Sequence, residues 1–279
     1  MRIVQSVEQM RNACRELKQG GRRLGFVPTM GALHAGHLSL VQAARAQCGA
    51  VAASVFVNPT QFGPNEDLNK YPRDLNRDRE LLEKEKVDLL FAPSAEEMYP
   101  PGAVSWVTVE RLSERLEGKS RPGHFRGVAT IVSKLFHIVE PDRAYFGQKD
   151  AQQAVIIRKM VRDLDMGVEV VVCPTVRESD GLALSSRNVY LNPEERKQAL
   201  VLYRALCRVQ SLADQGERGA RKLRDAALQV FGGEKQVRME YLEIVDKDSL
   251  EPVQDVSRGA LVVTAAFVGK TRLIDNLVL

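Results

Sequence analysis

Short apolar runs alternate with amphipathic stretches over the first two thirds of the chain. The runs are rich in β-branched and aromatic residues, which favour strands, whereas the stretches between them repeat apolar residues at helical spacing. This alternation predicts an α/β fold, in which helices cover both faces of a parallel sheet. The predicted strands span residues 24–27, 51–57, 87–91, 104–109, 144–146 and 168–173, and the predicted helices span residues 7–17, 38–46, 73–85, 128–139 and 152–165.

The pattern changes near residue 188, after which helices precede strands instead of alternating with them. Asn192 and Pro193 are typical of a helix N-cap and first helical position, and this helix is predicted to run to about residue 212. Gly269 and Lys270 separate two β-rich runs and predict a hairpin. A second helix is predicted at 220–231, and strands at 239–245, 260–267 and 271–278. We therefore expect two domains, residues 1–187 and a smaller α+β domain at residues 188–279.

Composition and charge exclude several classes of protein. Hydrophobic residues make up 44% and charged residues 27% of the 279 positions, which is typical of a soluble globular protein. The 40 basic and 36 acidic residues are interspersed and leave a net charge of +4, so we expect no nucleic-acid partner. The longest apolar run, residues 50–57, is too short to cross a bilayer, and no signal-peptide pattern follows Met1. We expect a cytoplasmic protein without a membrane partner.

The segment 27–37, VPTMGALHAGH, carries the strongest candidate chemistry. His34 and His37 flank Gly36 where a predicted strand ends and a helix begins. A helix N-terminus attracts phosphate through its unpaired N–H groups, and two imidazoles there can donate to phosphoryl oxygens as charge builds during transfer. Gly36 has no Cβ, so a phosphate or a base can approach the backbone. The segment therefore predicts a nucleotide site, although an isolated HxxH pair is more often structural or on the surface.

Zinc is the main alternative for a histidine pair, because neutral imidazole is a common zinc ligand. The four cysteines argue against it, since they form no CxxC pair and supply no third ligand at a familiar spacing. Dispersed cysteines are typical of a protein in a reducing compartment, where cysteine acts as a small apolar side chain. They are Cys14, Cys48, Cys173 and Cys207.

Polar groups recur in loops that follow other predicted strands. Asn58 and Gln61 follow the strand at 51–57, and their amides suit a hydroxy acid or a carboxylate. Lys149 follows the strand at 144–146 and suits a phosphate, while Asp150 could cap the next helix. A strand-breaking turn and a surface loop are the alternative interpretations of these two segments.

Two further segments combine arginine with small or polar residues. Arg187 follows Ser185 and Ser186 at the predicted domain boundary, where the three side chains could clamp a triphosphate. The glycine-rich basic segment 121–127 could bind a carboxylate or a phosphate. An ordinary linker and a solvated loop are the alternatives. Together with the histidine pair at a helix start, these four segments favour a nucleotide-using enzyme.

Five motifs occur in the order VPTMGALHAGH, FVNPTQF, RPGHFRGV, FGQKDAQQ and DGLALSSRN. In this combination the chain resembles the pantoate–β-alanine ligase (pantothenate synthetase) family, which is similar to class I aminoacyl-tRNA synthetases and other HIGH-type nucleotidyltransferases. The match runs from residue 23 to 188, with a looser fit at 272–276. The resemblance implies a Rossmann-like domain with a smaller C-terminal domain that acts as a lid, and a homodimer. It also implies ATP and Mg²⁺ as cofactors. The implied reaction joins (R)-pantoate to β-alanine through a pantoyl-adenylate and releases pyrophosphate and AMP. This reaction belongs to pantothenate and coenzyme A biosynthesis.

The resemblance assigns most motif positions to ATP. His34 and His37 would contact the phosphates, and His37 would stabilise the pentacovalent phosphorus. Lys149 and Arg187 would complete the catalytic set with positive charge. The positions assigned to ATP are Met30, Gly31, Ala32, Leu33, His34, Ala35, Gly36, His37, Gly147, Gln148, Lys149, Asp150, Val176, Leu184, Ser185, Ser186 and Arg187.

The resemblance assigns neutral amides to the other substrates and one carboxylate to the metal. Gln61 and Gln153 would hold pantoate together with Asn58, and Gln61 would also face β-alanine. Asp78 lies in a region implicated in Mg²⁺ binding, but Arg77 stands beside it where a second acid would help.

The chain departs from the family pattern at two positions, and two rival functions stay open. Gln148 stands where many members have Glu, and Leu184 where many have Met, but neither change removes a charge that the mechanism needs. An adenylating enzyme like a tRNA synthetase is one rival, although the chain lacks a basic anticodon-binding extension and the paired lysines of KMSKS. A non-catalytic nucleotide sensor is the other, although both histidines, Lys149 and Arg187 are retained.

Overall fold

The computed structural model describes residues 1–64, 66, 68–234 and 236–279. The chain divides into two compact units. The first consists of Met1–Gly147 and Gln152–Pro174, and the second of Gln148–Ala151 and Thr175–Leu279. The expected division lay between residues 187 and 188, whereas the second unit begins at Thr175 and takes a short stretch from the middle of the sequence.

A six-stranded sheet forms the centre of the first unit. Its strands are β1 (Arg2–Val4), β2 (Leu24–Thr29), β3 (Ala50–Val55), β4 (Leu89–Phe91), β5 (Arg143–Gly147) and β6 (Glu169–Cys173). Every neighbouring pair is parallel, in the order β1-β4-β3-β2-β5-β6. The small side chains of β3, sequence AVAASV, are buried along nearly the whole strand, as expected for a central strand covered on both faces.

Helices pack on both faces of this sheet. Leu40 and Leu82, from α2 and α3, join Val27 and Val51 in one apolar core, and the alternation of side chains along β2 directs Phe26 to the opposite face. On that face α1 and α6 pack together against the sheet. The helices are α1 (Val7–Lys18), α2 (Ala35–Gln47), α3 (Leu75–Lys84), α4 (Ala95–Met98), α5 (Glu117–Ser120), α6 (His124–Val139) and α7 (Ala151–Asp163).

The second unit packs helices against one antiparallel sheet. Its helices are α8 (Pro193–Gln198), α9 (Leu200–Asp214) and α10 (Ala220–Phe231), and its strands are β7 (Val237–Val245), β8 (Leu261–Val268) and β9 (Thr271–Val278). The strands pair in the order β7-β8-β9. Leu206 of α9 and Leu223 of α10 share a buried core with Leu242 and Val262 of the sheet. An α/β unit with a smaller C-terminal α+β unit confirms the predicted fold class.

Three local predictions differ from the structure. The strand predicted at 104–109 is wrong, because this stretch forms no ladder and Val104 is 82% exposed. The short strand β1 was not predicted; it pairs with β4, and three residues show too little alternation to be recognised. The helix predicted from Asn192 to about 212 is interrupted at Ala199, whose backbone angles stay helical (φ −57°, ψ −24°).

The hairpin predicted at Gly269 and Lys270 is confirmed. It joins β8 to β9, with Val268 paired to Thr271. Gly269 has a φ of +56°, a conformation that glycine adopts without strain. Among the residues that the structure describes, no helix is long and apolar enough to span a bilayer.

Candidate functional site

The order of the strands places a switch point beside the central strand β2. After β2 the chain adds β3 and β4 on one side, and it later returns to add β5 and β6 on the other. In an open parallel sheet such a reversal leaves a crevice at the carboxyl ends of the strands, where ligands bind. The segments that begin at Met30 and Asn58 leave the carboxyl ends of β2 and β3, and Gly147 is the last residue of β5. Three of the predicted motifs therefore include residues at the carboxyl ends of these strands.

The segment from Met30 to Leu33 is a tight loop between β2 and α2. Gly31 and Ala32 both have positive φ, 83° and 51°, which costs alanine about 1 kcal/mol and glycine almost nothing. Asp78, in the first turn of α3, is 1% exposed and accepts hydrogen bonds from the N–H groups of Ala32 at 2.9 Å and Leu33 at 2.8 Å. A Cβ on Gly31 would lie 2.9 Å from an oxygen of the same carboxylate, so only glycine fits there.

His34 and His37 cap the helix that follows this loop. His34 is the N-cap residue of α2, and its Nδ1 accepts a hydrogen bond from the Gly36 N–H at 3.1 Å. The His34 N–H in turn donates to Nδ1 of His37 at 3.4 Å, and the two ring centroids lie 4.1 Å apart. Because each Nδ1 is an acceptor, the proton of each neutral ring is on Nε2. Both imidazoles thus carry an Nε2–H donor at the positive end of a helix.

Asn58 and Gln61 belong to a single turn after β3, and Asn58 orients Gln61. The buried Asn58 donates from Nδ2 to Gln61 Oε1 at 2.9 Å and to the carbonyl oxygen of Gly127 at 3.2 Å. Its Oδ1 accepts from the N–H of Thr60 at 3.4 Å and from the Thr60 hydroxyl at 3.0 Å. These four bonds use the hydrogen-bonding capacity of the amide. In this arrangement Asn58 holds the side chain of Gln61, and its expected contact with substrate stays a prediction.

The glycine-rich segment 121–127 packs directly on this turn. A Cβ on Gly127 would lie 2.3 Å from the carbonyl oxygen of Thr60, so α6 approaches the turn more closely than any other residue would allow. The carbonyl oxygen of Gln61 accepts hydrogen bonds from His124 Nδ1 at 2.8 Å and from Arg121 Nη2 at 3.3 Å. The segment that sequence reasoning considered as an anion site thus holds the backbone on both sides of Gln61.

His124 is held in its neutral form. Burial and the neighbouring Arg121 guanidinium lower the pKa of His124 to about 4. The neutral ring donates from Nδ1 to the Gln61 carbonyl and accepts at Nε2 from Arg121 Nη1 at 3.1 Å. Arg121 also forms a bidentate ion pair with Glu66, with distances of 2.6 and 2.8 Å. Its positive charge is therefore balanced within the protein, which argues against the expected role in binding a ligand anion.

Two adjacent glutamines at the start of α7 have different surroundings. Gln152 is buried; its Nε2 donates to the carbonyl oxygens of Leu112 and Arg115, both at 2.8 Å, and its Oε1 accepts from the Glu117 N–H at 3.0 Å. Gln153, the predicted pantoate residue, is only partly buried. Sequence reasoning missed the structural role of Gln152, because the pair QQ contains no local signal that separates the two residues.

In the second unit, Asn276 of β9 holds the turn that contains Lys149. Its Nδ2 donates to the carbonyl oxygens of Gln148 at 2.8 Å and Lys149 at 2.9 Å, and its Oδ1 accepts from Gln148 Nε2 at 2.9 Å. The Lys149 ammonium lies 3.6 Å from the Asp150 carboxylate. Asn276 is buried and its partners are more than 120 residues away in the sequence, so no local pattern could have indicated this role.

The other positions assigned to ATP in the second unit lie on two neighbouring backbone segments. The Leu184 N–H donates to the Val176 carbonyl oxygen at 3.0 Å. Ser185 then begins a short turn, Ser186–Tyr190, and its hydroxyl accepts from the Arg187 N–H at 3.3 Å. The serine hydroxyl thus fixes the turn that carries the arginine.

A metal site made of protein ligands is not found in the described part of the chain, where no three His, Cys, Asp or Glu residues are grouped to hold a metal. Both oxygens of Asp78, the expected Mg²⁺ ligand, accept backbone hydrogen bonds in a buried position. Beside it, Arg77 donates to the Leu33 carbonyl oxygen at 3.2 Å. Mg²⁺ needs accessible oxygen ligands in near-octahedral geometry, and these residues do not fit that requirement.

Comparisons with known proteins agree with one another. A family model described as Pantoate-beta-alanine ligase matches residues 2–278. A pantothenate synthetase of Thermotoga neapolitana is 57% identical over 279 residues, covering 100% of both chains, and one of Koribacter versatilis is 57% identical, covering 100% of this chain and 96% of that protein.

Solved structures give the same result. A crystal structure of pantothenate synthetase from Thermus thermophilus matches with a TM-score of 0.94 at 53% identity, over 99% of both chains. A pantoate-beta-alanine ligase from Francisella tularensis, complexed with beta-gamma ATP and β-alanine, matches with a TM-score of 0.79 at 35% identity, over 99% of this chain and 97% of that one.

Proposed function

The chain belongs to the pantoate–β-alanine ligase family, and we propose that it joins pantoate to β-alanine in an ATP-dependent reaction through a pantoyl-adenylate. The observation that carries this proposal is the pair His34 and His37, whose Nε2–H donors lie at the N-terminus of α2 next to the switch point of the sheet. The complex of the Francisella tularensis relative with beta-gamma ATP and β-alanine supports it.

The reaction has two chemical steps. A carboxylate oxygen of pantoate attacks the α-phosphorus of ATP, the bond from that phosphorus to the bridging oxygen breaks, and pyrophosphate leaves. The amine of β-alanine then attacks the acyl carbon of the adenylate, AMP leaves with the electrons of the acyl–oxygen bond, and the amine loses a proton. Neither step needs a covalent bond to the protein, so the site acts by positioning and by stabilising charge.

His34 and His37 stabilise the first transition state. Negative charge builds on the oxygens around the α-phosphorus as the new bond forms, and donors fixed beforehand stabilise that charge without reorganising. The helix N-terminus adds a partial positive charge at the same place. The remaining positions from Met30 to His37 form the backbone that faces the nucleotide.

Neutral amides bind the acid. Gln61 and Gln153 hold pantoate, and Gln61 also faces β-alanine. Asn58 fixes Gln61 through the bond to its Oε1, which leaves the Nε2 end of Gln61 for the substrate. Gly147, at the end of β5, leaves space for ATP to approach the backbone.

The second unit supplies further groups for ATP. Lys149 and Arg187 add positive charge at the phosphates, and the serine-rich turn positions the arginine. The other positions assigned to ATP there are Gln148, Asp150, Val176, Leu184, Ser185 and Ser186. Mg²⁺ would be held mainly by the phosphates of ATP and by water, with one or two ligands at most from the protein, and would add positive charge at the phosphates.

The state and location of the protein complete the proposal. We infer a cytoplasmic homodimer that acts on small molecules without a nucleic acid or a membrane. The interspersed charges with a net value of +4, and the family membership, support this inference.

A burst experiment tests the two-step reaction. Enzyme, ATP and pantoate without β-alanine should release about one equivalent of pyrophosphate per site and then nearly stop, because the adenylate stays bound and shielded from water. Added β-alanine should restart turnover. His37→Ala should slow the burst by about 10²-fold while changing ATP affinity much less, because its interaction strengthens in the transition state.

Two results would contradict the proposal. If pyrophosphate appears only when β-alanine is present, the reaction has no free-standing first step. If His37→Ala forms adenylate at a near-normal rate, the histidine pair does not carry the chemistry.

A further inference from the structure

The buried carboxylate of Asp78 has no role in the mechanism above. It is 1% exposed and lies in the first turn of α3, more than 40 residues away in the sequence from the groups it contacts. Burying a carboxylate is unfavourable unless hydrogen bonds compensate, and a charged acceptor forms stronger hydrogen bonds than a neutral one. The N–H groups of Ala32 and Leu33 supply this compensation, one to each oxygen.

These two hydrogen bonds fix the loop between β2 and α2 where no regular secondary structure holds it. Gly31 and Ala32 have left-handed backbone conformations in succession, and neither lies in a helix or strand whose ladder could hold it. The loop is also held at its other end, where the Gly31 N–H donates to the Thr29 hydroxyl at 3.1 Å and that hydroxyl donates to the Ser54 carbonyl oxygen at 2.7 Å.

The conformation of the loop determines where the histidines lie. His34 follows Leu33 directly and must have extended backbone angles (φ −138°, ψ 175°) to cap α2. If the Leu33 amide moves, the N-cap residue moves with it, and so do the bonds from Gly36 to His34 and from His34 to His37. The distance between the two Nε2–H donors therefore depends on the carboxylate under the loop.

We propose that Asp78 is a positioning residue for the histidine pair and not a ligand of Mg²⁺. This rests on the proposed role of His34 and His37. Asp78 acts through the backbone of residues 31–33, and replacing it should disturb the transition state for adenylate formation without changing how much Mg²⁺ the enzyme needs. A metal ligand would show the opposite behaviour.

Asp78→Asn tests the proposal, because it keeps the shape of the side chain but replaces one acceptor oxygen by a donor. One of the two loop amides then faces an NH₂ group. We expect amide exchange of Ala32 or Leu33, followed by NMR, to become at least tenfold faster. We expect the burst rate to fall by about 10-fold to 100-fold with little change in KM for ATP, and the Mg²⁺ concentration for half-maximal rate to stay within about twofold.

Asp88→Asn is the matched control. Asp88 accepts a hydrogen bond from the Val51 N–H at 2.8 Å, at the amino end of the sheet. The same oxygen, Oδ2, also accepts from Arg45 Nη2 at 2.5 Å. Asp88→Asn replaces this charged acceptor by a weaker neutral one away from the switch point, so exchange at Val51 should become faster while the burst rate stays normal.

Thr29→Val keeps the inference testable if Asp78→Asn does not fold. It removes the acceptor of the Gly31 N–H without touching a carboxylate, and it should slow the burst with no change in the Mg²⁺ requirement. A tenfold higher Mg²⁺ requirement in Asp78→Asn with unchanged loop exchange would show a metal ligand and overturn the inference. A normal burst rate in Asp78→Asn would also overturn the inference, as would a normal burst rate in Thr29→Val if Asp78→Asn does not fold. A slow burst in His37→Ala together with normal bursts in Asp78→Asn and Thr29→Val would leave the proposed function intact and reject only the role of Asp78.

Discussion

Replacing Gly127 by alanine should push α6 away from the turn that carries Gln61. An added Cβ would lie 2.3 Å from the Thr60 carbonyl oxygen, 2.6 Å from its carbon and 2.9 Å from the Gln61 nitrogen, all of them backbone atoms. Ordinary contact begins near 3.4 Å, so helix and turn must separate by about 1 Å. No side chain can rotate away to absorb the overlap.

The expected loss of stability follows from three effects. Overpacking costs about 1–3 kcal/mol, and the separation stretches the 3.2 Å bond from Asn58 to the Gly127 carbonyl, which contributes about 1 kcal/mol. Alanine returns about 1 kcal/mol through its higher helix propensity. The free energy of unfolding should therefore fall by about 2 kcal/mol, which is roughly a 30-fold change in the folding equilibrium. Because Gln61 moves with the turn, KM for pantoate should rise by about tenfold.

Urea unfolding followed by circular dichroism, together with pantoate titration of the initial rate, measures both effects. Gly232→Ala is the control: Gly232 has helical backbone angles (φ −61°, ψ −15°), and a Cβ there would meet nothing closer than 3.5 Å. That variant should be as stable as the wild type or slightly more so, with an unchanged KM. If Gly127→Ala matches the wild type in stability and in KM for pantoate, the argument from close approach is refuted.

Two other features of the site give measurable predictions. The pKa of His124 is lowered to about 4 from its ordinary value of 6.5. Between these two pH values the unfolded chain takes up a proton that the folded chain does not. The free energy of unfolding should therefore fall by up to about 3 kcal/mol as the pH drops from 6.5 to 4. Urea unfolding at a series of pH values should show a flatter profile for His124→Asn, and equal slopes for both proteins would contradict the shift. Gln152→Ala should lower the free energy of unfolding by about 2–3 kcal/mol, because it removes the buried hydrogen bonds to the Leu112 carbonyl and from the Glu117 N–H, and one of the two bonds to the Arg115 carbonyl, which also accepts from the Gly118 N–H. Gln153→Ala should instead raise KM for pantoate at unchanged stability, and the reverse pattern would exchange the two roles.

Local sequence patterns predicted the elements whose formation depends on their own residues. The amphipathic helix α10 has the bounds expected for it, Ala220–Phe231, because one face of the helix is buried and the other is not. The prediction of a strand at 104–109 was wrong because a strand does not depend on its own residues alone. The alternation of side chains there favours a strand, but a strand also needs a neighbouring strand to pair with, and that depends on distant parts of the chain.

The same distinction applies to the candidate site. The histidine pair could be recognised from eleven consecutive residues, because the glycines, the strand before it and the helix after it are all local. The contacts of Asp78 with Ala32 and of Asn276 with Lys149 join residues 46 and 127 positions apart. Aspartate and asparagine are common at helix starts and in turns, so neither residue type signals such a partner. These supporting contacts became visible only when the fold brought the segments together.

The turn at 148–151 limits how this chain can be cut or recombined. It lies in the middle of the sequence, yet the carbonyl oxygens of Gln148 and Lys149 receive their hydrogen bonds from Asn276 near the far end. A fragment that stops at Pro174 would keep Lys149 but lose the side chain that holds its backbone. A chimera that takes its C-terminal unit from another family member must therefore match residue 148 to the incoming residue at 276, since an amide and a carboxylate at position 148 require different orientations of that asparagine. In such chimeras the unit of exchange is two separate pieces of chain, one of them only four residues long.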